Sequence, residues 1–105
     1  MKPVLLSADC AMDVFVVLDA VAEDLRKYCL EFCKWLRESK HAARYRVPFD
    51  MSGHFGLCFN HMDFIEYLNT WIFPDQPSML IGELDKLKGK DPRYEEYKNA
   101  PWFNF

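Results

Sequence analysis

Glycine and proline are almost missing from the first half of the chain: between Val4 and Gly53 only Pro48 interrupts. Nothing there obliges a long regular element to stop. Also missing is any apolar run near the ~20 residues that a membrane span needs. Asp9, Asp13 and Asp19 break up the apolar stretch behind Lys2, which excludes a signal peptide as the reading of the N-terminus. The net charge is only −3, so no global field marks a nucleic-acid binder. No internal repeat or low-complexity tract is visible, and Gly53-x-x-Gly56 lacks the pattern of a phosphate loop. The expected setting is cytoplasmic and reducing, where the four cysteines stay thiols.

What the chain does have is apolar and aromatic mass. At 105 residues it is the size of one domain, able to bury about two-thirds of its unfolded surface. Half of the residues are apolar and 16% are aromatic, enough for a core without metals or disulfides.

Periodicity points to helices. Val14, Leu18, Val21, Leu25, Tyr28, Phe32 and Trp35 recur at spacings of three and four, which predicts one long helix over about residues 8–38. Its acidic start and its Lys34, Arg37 and Lys40 end both suit the helix dipole. Val14-Phe-Val-Val-Leu18 is apolar all round, so this part is covered on more than one side. A helix of ~30 residues would be about 45 Å long, more than a domain of this size spans. It must break or project, and a homodimer through its wide apolar face is the expected consequence.

A basic connector follows over 40–52, with Pro48 holding Val47 extended. A second helix is expected over about 54–72, with Ser52 as N-cap and Leu57, His61, Phe64, Leu68 and Trp71 as its stripe. A third, over about 77–88, has Leu80, Leu84 and Leu87 as its seam and Gly89 at its end. A short fourth covers about 92–98, with Asp91 as N-cap and Pro92 in the first turn. An aromatic tail closes the chain over 100–105. The expected fold is therefore mainly α: a single helical domain of three or four helices, with a minor β element at 3–7 or 45–49.

The chemically capable residues cluster around Met51–His61. Cys29 and Cys33 lie one helical turn apart, and His54, Cys58 and His61 would share a face of the second helix. Together they make a candidate zinc set. The same thiols are equally well explained as small core residues. Cys58 with His54 or His61 is also a possible thiolate–imidazole pair, but no orienting third residue or oxyanion loop accompanies it. No catalytic residue is assigned, and the chain is read as a non-enzyme without a resident cofactor.

Two charged patches offer binding surfaces. Lys34, Arg37, Lys40, Arg44 and Arg46 suit nucleic acid or a small anionic ligand such as a nucleotide, although a helix C-terminus carries the same residues for its own sake. Asp9 and Asp13 belong to an acidic stretch that could occupy a partner's basic site. In the tail, Trp102, Phe103 and Phe105 either fold back over the core or anchor a partner.

Gly56-Leu57-Cys58-Phe59-Asn60, the aromatic-rich Phe64–Trp71 and Phe73-Pro74 resemble small bacteriophage accessory proteins, over about residues 25 to 80. The resemblance implies a host protein as partner, such as a defence or nucleic-acid-processing factor, in the cytoplasm of the infected cell. It implies no catalytic residue. The functional expectation is a non-catalytic protein-binding module, with Trp102, Phe103, Phe105, Asp9 and Asp13 as contacts. Nucleotide or nucleic-acid binding and a zinc-stabilised domain are the alternatives, and no membrane association is expected.

Overall fold

The N-terminal residues Lys2-Pro-Val-Leu-Leu-Ser-Ala8 form a strand (β1), and Ala11–Val17 form a second (β2). They pair antiparallel, with Val4 opposite Phe15 and Leu6 opposite Asp13. The computed structural model describes residues 1–8, 11–49, 51–84 and 92–105. The expected helix over 8–38 is thus corrected: its first third is a strand. Met-Asp-Val-Phe-Val-Val carries three β-branched valines, whose stiff χ1 favours a pleated surface over a helical turn. The all-round apolarity of Val14–Val17 is that of an internal strand covered on both faces.

After Leu18 the chain turns into a short helix (α1, Asp19–Glu23), leaves helical geometry at Asp24 (φ −137°, ψ 45°) and resumes as α2 (Leu25–Glu38). The stripe Leu25, Cys29, Phe32, Leu36 faces inward on α2, so the helical period begins at residue 25, with Tyr28 and Trp35 of the expected stripe only partly buried beside it. A 3-10 turn, Lys40–Tyr45, leads to a two-stranded hairpin, β3 (Arg46–Pro48) and β4 (Phe55–Leu57). Gly53 in its connection sits at φ +90°, a conformation that costs an L side chain dearly.

The second helix begins later than expected. Ser52 is not its cap. Asn60 accepts from the backbone N–H groups of Met62 and Asp63, and Asp63 accepts from the Asn60 N–H, a closed capping box. Helix α3 (His61–Tyr67) then widens into a π turn, Leu68–Ile72, closed by Phe73 N–H donating to Leu68 C=O at 2.7 Å. The expected third helix is also corrected. Met79–Leu84 is a strand (β5) antiparallel to β2, with a bulge where the register shifts between Val14 and Phe15. The Leu80–Leu84 spacing that suggested a helix is outweighed by pairing with β2. Lys86, Leu87, Lys88, Gly89 and the Asp91 cap lie outside the described residues. Helix α4 (Pro92–Tyr97) starts on its proline as anticipated. The tail is a strand, β6 (Trp102–Asn104), parallel to β1.

The main sheet therefore runs β5-β2-β1-β6, and the fold is α/β rather than mainly helical, with 45% helix and 31% strand among the described residues. One sheet face, with Val4, Leu6, Phe15 and Val17, packs on α1, α2 and α3. Phe32 lies at the centre of this core, its ring 5.1–5.9 Å from those of Phe59, Phe64, Tyr67 and Phe105. The opposite face, with Leu5, Val14 and Leu84, meets Tyr97 of α4 in a smaller core. Among the described residues no helix is long and apolar enough to cross a membrane.

Candidate aromatic binding cleft

The C-terminal half of α2, the 3-10 turn and the α3–π segment converge on a cleft of about 260 Å³. Each element brings rings. Trp35 comes from α2, its ring 5.1 Å from Tyr67 and 6.1 Å from Tyr45. Tyr45 closes the 3-10 turn and is buried. Tyr67, also buried, ends α3. The π turn then swings Trp71 outward, where it is 47% exposed, and the imidazole of His41 stacks on it. A π turn inside a helix is uncommon and recurs at functional sites. Here it lets Thr70 and Trp71 line the cleft while Leu68 stays in the core.

The rim of the cleft carries one cation and one anion, already matched. Arg44 donates to the Glu66 carboxylate at 3.0 Å and to the Tyr45 hydroxyl, and its guanidinium lies 4.7 Å above the Tyr45 ring. Both partners push its pKa further up, the tyrosine hydrogen bond foremost. The cleft has no charge left to satisfy at that edge. What it offers is ring surface from Trp35, Tyr67 and Trp71.

Two of the four remaining residues of the expected basic patch are occupied as well. Arg46 is the C-terminal cap of α2: its guanidinium donates to the carbonyls of Leu36 (3.3 Å), Arg37 (2.9 Å) and Ser39 (2.8 Å). Lys34 sits 4.0 Å from Glu38 on the next turn. Among the described residues only Arg37 and Lys40 of this set lack an ion-pair partner or carbonyl acceptor.

The expected zinc ligands are not brought together. Among the described residues no three His, Cys, Asp or Glu side chains could hold one metal ion. Cys29 is buried in the main core, where burial pushes its thiol far up. Cys33 is half-buried and its thiol is raised for the same reason. Cys58 is exposed. His54 bonds Ser52 Oγ at 2.8 Å. His61 turns inward, so the second-helix face that was to join it with His54 and Cys58 does not exist.

The acidic and aromatic contact residues are redistributed too. Asp13 is not a solvent-facing acid: it is nearly buried and bonds His61 Nε2. Asp9 lies outside the described residues. Phe103 and Phe105 fold back into the main core, with Phe105 against Phe32, Phe59 and Phe64. Of the three aromatic residues of the tail, Trp102 alone is largely exposed, at 67%. Sequence reasoning missed the cleft itself. Trp35 and Trp71 were assigned to core stripes, and only the π turn, invisible in residue spacing, exposes Trp71.

Comparison with family models, with characterised proteins and with solved structures finds no match to this chain. These comparisons lend no support to the expected bacteriophage context or to the homodimer.

Proposed function

We propose that the chain is a non-catalytic protein-binding module whose aromatic cleft takes a short, extended, proline-containing segment of another protein. The observation that carries this reading is the set of Trp35, Tyr67 and Trp71 rings around a cleft whose own cation and anion already satisfy each other. Its volume of about 260 Å³ suits one or two side chains rather than a whole nucleotide-sized ligand. An aromatic-lined groove without unpaired charge favours an apolar, rigid occupant. Polyproline II segments are of that kind, because they pay little ordering entropy on docking. A phosphate-bearing ligand is less favoured, since the Arg46 guanidinium is held by three backbone carbonyls and that of Arg44 by Glu66, the Tyr45 hydroxyl and the Tyr45 ring.

The test is selection from a peptide library with a fixed Pro-x-x-Pro core and randomised flanks, run in parallel on the native chain and on Trp71→Ala. Enrichment of a consensus by the native chain alone supports the reading. Equal enrichment by both, or by neither, would falsify it. Trp71 is half-exposed, so its removal leaves the core intact and the comparison fair.

A further inference from the structure

The sheet face opposite α2 and α3 is only partly covered. Helix α4 protects Leu5, Val14 and Leu84, but beside it an open pocket of about 400 Å³ remains over β1 and β6. This volume lies in the ordinary range of small-molecule sites, roughly 300–1,000 Å³. Its walls are apolar: Leu5 and Met12 from the sheet, Tyr94 from α4 and Trp102 from β6. The parallel register puts Trp102 beside Leu5 and Asn104 beside Ser7, so all four project to this face.

The polar groups in the pocket are few and convergent. Ser7 is buried, and its hydroxyl donates to Asn104 Oδ1 at 2.9 Å. That bond commits the amide oxygen and leaves the two Nδ2 hydrogens of Asn104 as donors without an acceptor among the described residues. Lys98 stands at the rim. Among the described residues its one ion pair is with Glu95 of α4, 2.9 Å away, and both side chains are more than half exposed. Such a pair contributes little and is easily exchanged. An apolar slot walled by an indole and a phenol, with amide donors at one end and an ammonium at its rim, is complementary to a flat apolar body ending in an anion.

We propose that this pocket binds a small planar aromatic carboxylate, its rings between Trp102 and Tyr94 and its carboxylate on Asn104 Nδ2 and Lys98. The site lies on the face of the sheet away from the aromatic cleft and does not depend on it.

The probes are naphthoate and its uncharged counterpart methylnaphthalene, titrated into the intact chain while the indole N–H resonance of Trp102 is followed. Naphthoate should shift that resonance saturably and bind about tenfold more tightly than methylnaphthalene, the difference expected of charge-assisted hydrogen bonds. Asn104→Leu with Lys98→Met should bring the two affinities together. Met12→Trp should fill the slot and abolish both. A Trp102 resonance unmoved by naphthoate overturns the proposal. So does equal affinity for both probes, or full retention of the naphthoate preference in the Asn104→Leu, Lys98→Met chain. Asn104 and Lys98 are exposed, so this pair of substitutions keeps the test decisive even where Met12→Trp perturbs folding.

Discussion

The imidazole of His41 lies on the indole of Trp71, ring centroids 4.4 Å apart and planes inclined by 24°. This contact ties the 3-10 turn to the π turn and fixes one wall of the aromatic cleft. Both rings are exposed, so the stack adds little to global stability. His41→Ala should lower it by under about 1 kcal/mol, while shifting the fluorescence and the indole N–H resonance of Trp71. A chemical denaturation curve and a single spectrum check both halves. A large stability loss would mean that the stack is structural rather than part of a binding surface.

Asp13 and His61 tie the sheet to helix α3. Among the described residues Nδ1 of His61 has no partner, so this contact to Asp13 is the imidazole's one hydrogen bond there. His61 also meets the Phe15 ring edge-on. Removing the acceptor leaves a buried imidazole N–H unsatisfied, which costs about 1–3 kcal/mol. Asp13→Ala is therefore expected to destabilise by that amount, and Asp13→Asn by less, because an amide oxygen still accepts. The double variant Asp13→Ala, His61→Ala should be less unstable than the sum of the single ones, with a coupling of roughly 0.5–3 kcal/mol. Additive losses in urea titrations would show that the pair does not interact.

Among the aromatic residues of the C-terminal segment, Phe103 and Phe105 are structural. Phe105 contacts Phe32, Phe59, Phe64 and Phe103, and its N–H donates to the Ser7 carbonyl at 2.8 Å. Phe105→Ala is expected to cost about 3–5 kcal/mol, as for other core aromatic truncations. Trp102→Ala should stay within about 1 kcal/mol of the native chain. Thermal melts of the two variants should therefore separate widely. Coincident melting curves would contradict the packing described.

The buried thiol of Cys29 gives the fold an alkaline limit. Its folded pKa is raised by burial, and to a lesser degree by Cys33. The neutral thiol is thus favoured in the folded state. This contribution to stability is fully present below the ordinary thiol pKa of about 8.5 and is lost as pH rises above it, by up to about 1.4 kcal/mol per pH unit. Cys33 and Tyr67 are shifted the same way by burial. Cys29→Ala should lower stability at neutral pH through lost packing, yet flatten its decline between about pH 8.5 and 10. An unchanged slope would show that Cys29 ionises as freely folded as unfolded.

How much of this was legible in the sequence follows from particular residues. The α2 stripe from Leu25 to Leu36 showed its helix because one buried face against one solvated face leaves a clean 3.6-residue period. Pro92 marked the start of α4, and the extended stretches 3–7 and 45–49 marked β1 and β3. β2 was hidden because Val14 to Val17 are apolar toward both faces, so neither period stands out, and the helical spacing of their neighbours absorbed them. Its three valines were the signal that could have decided it. Asn60 and Asp63 were a visible capping box, but the stripe through Leu57 drew the helix start too early. β5 depends on pairing with β2, a partner some sixty-five residues away, which no local pattern reports. Most of the charged patch was legible as sequence but not as chemistry: Arg46 and Arg44 are consumed by a helix end and a glutamate that only the fold brings near.

The most direct measurement is a nuclear magnetic resonance titration of the chain with the most enriched Pro-x-x-Pro peptide from the library selection. It follows the three indole N–H signals of Trp35, Trp71 and Trp102. Saturable shifts of Trp35 and Trp71 with Trp102 unmoved are the expected result, and place the peptide in the aromatic cleft. Shifts confined to Trp102, or perturbations clustered on Arg37 and Lys40 with the indoles silent, would contradict it.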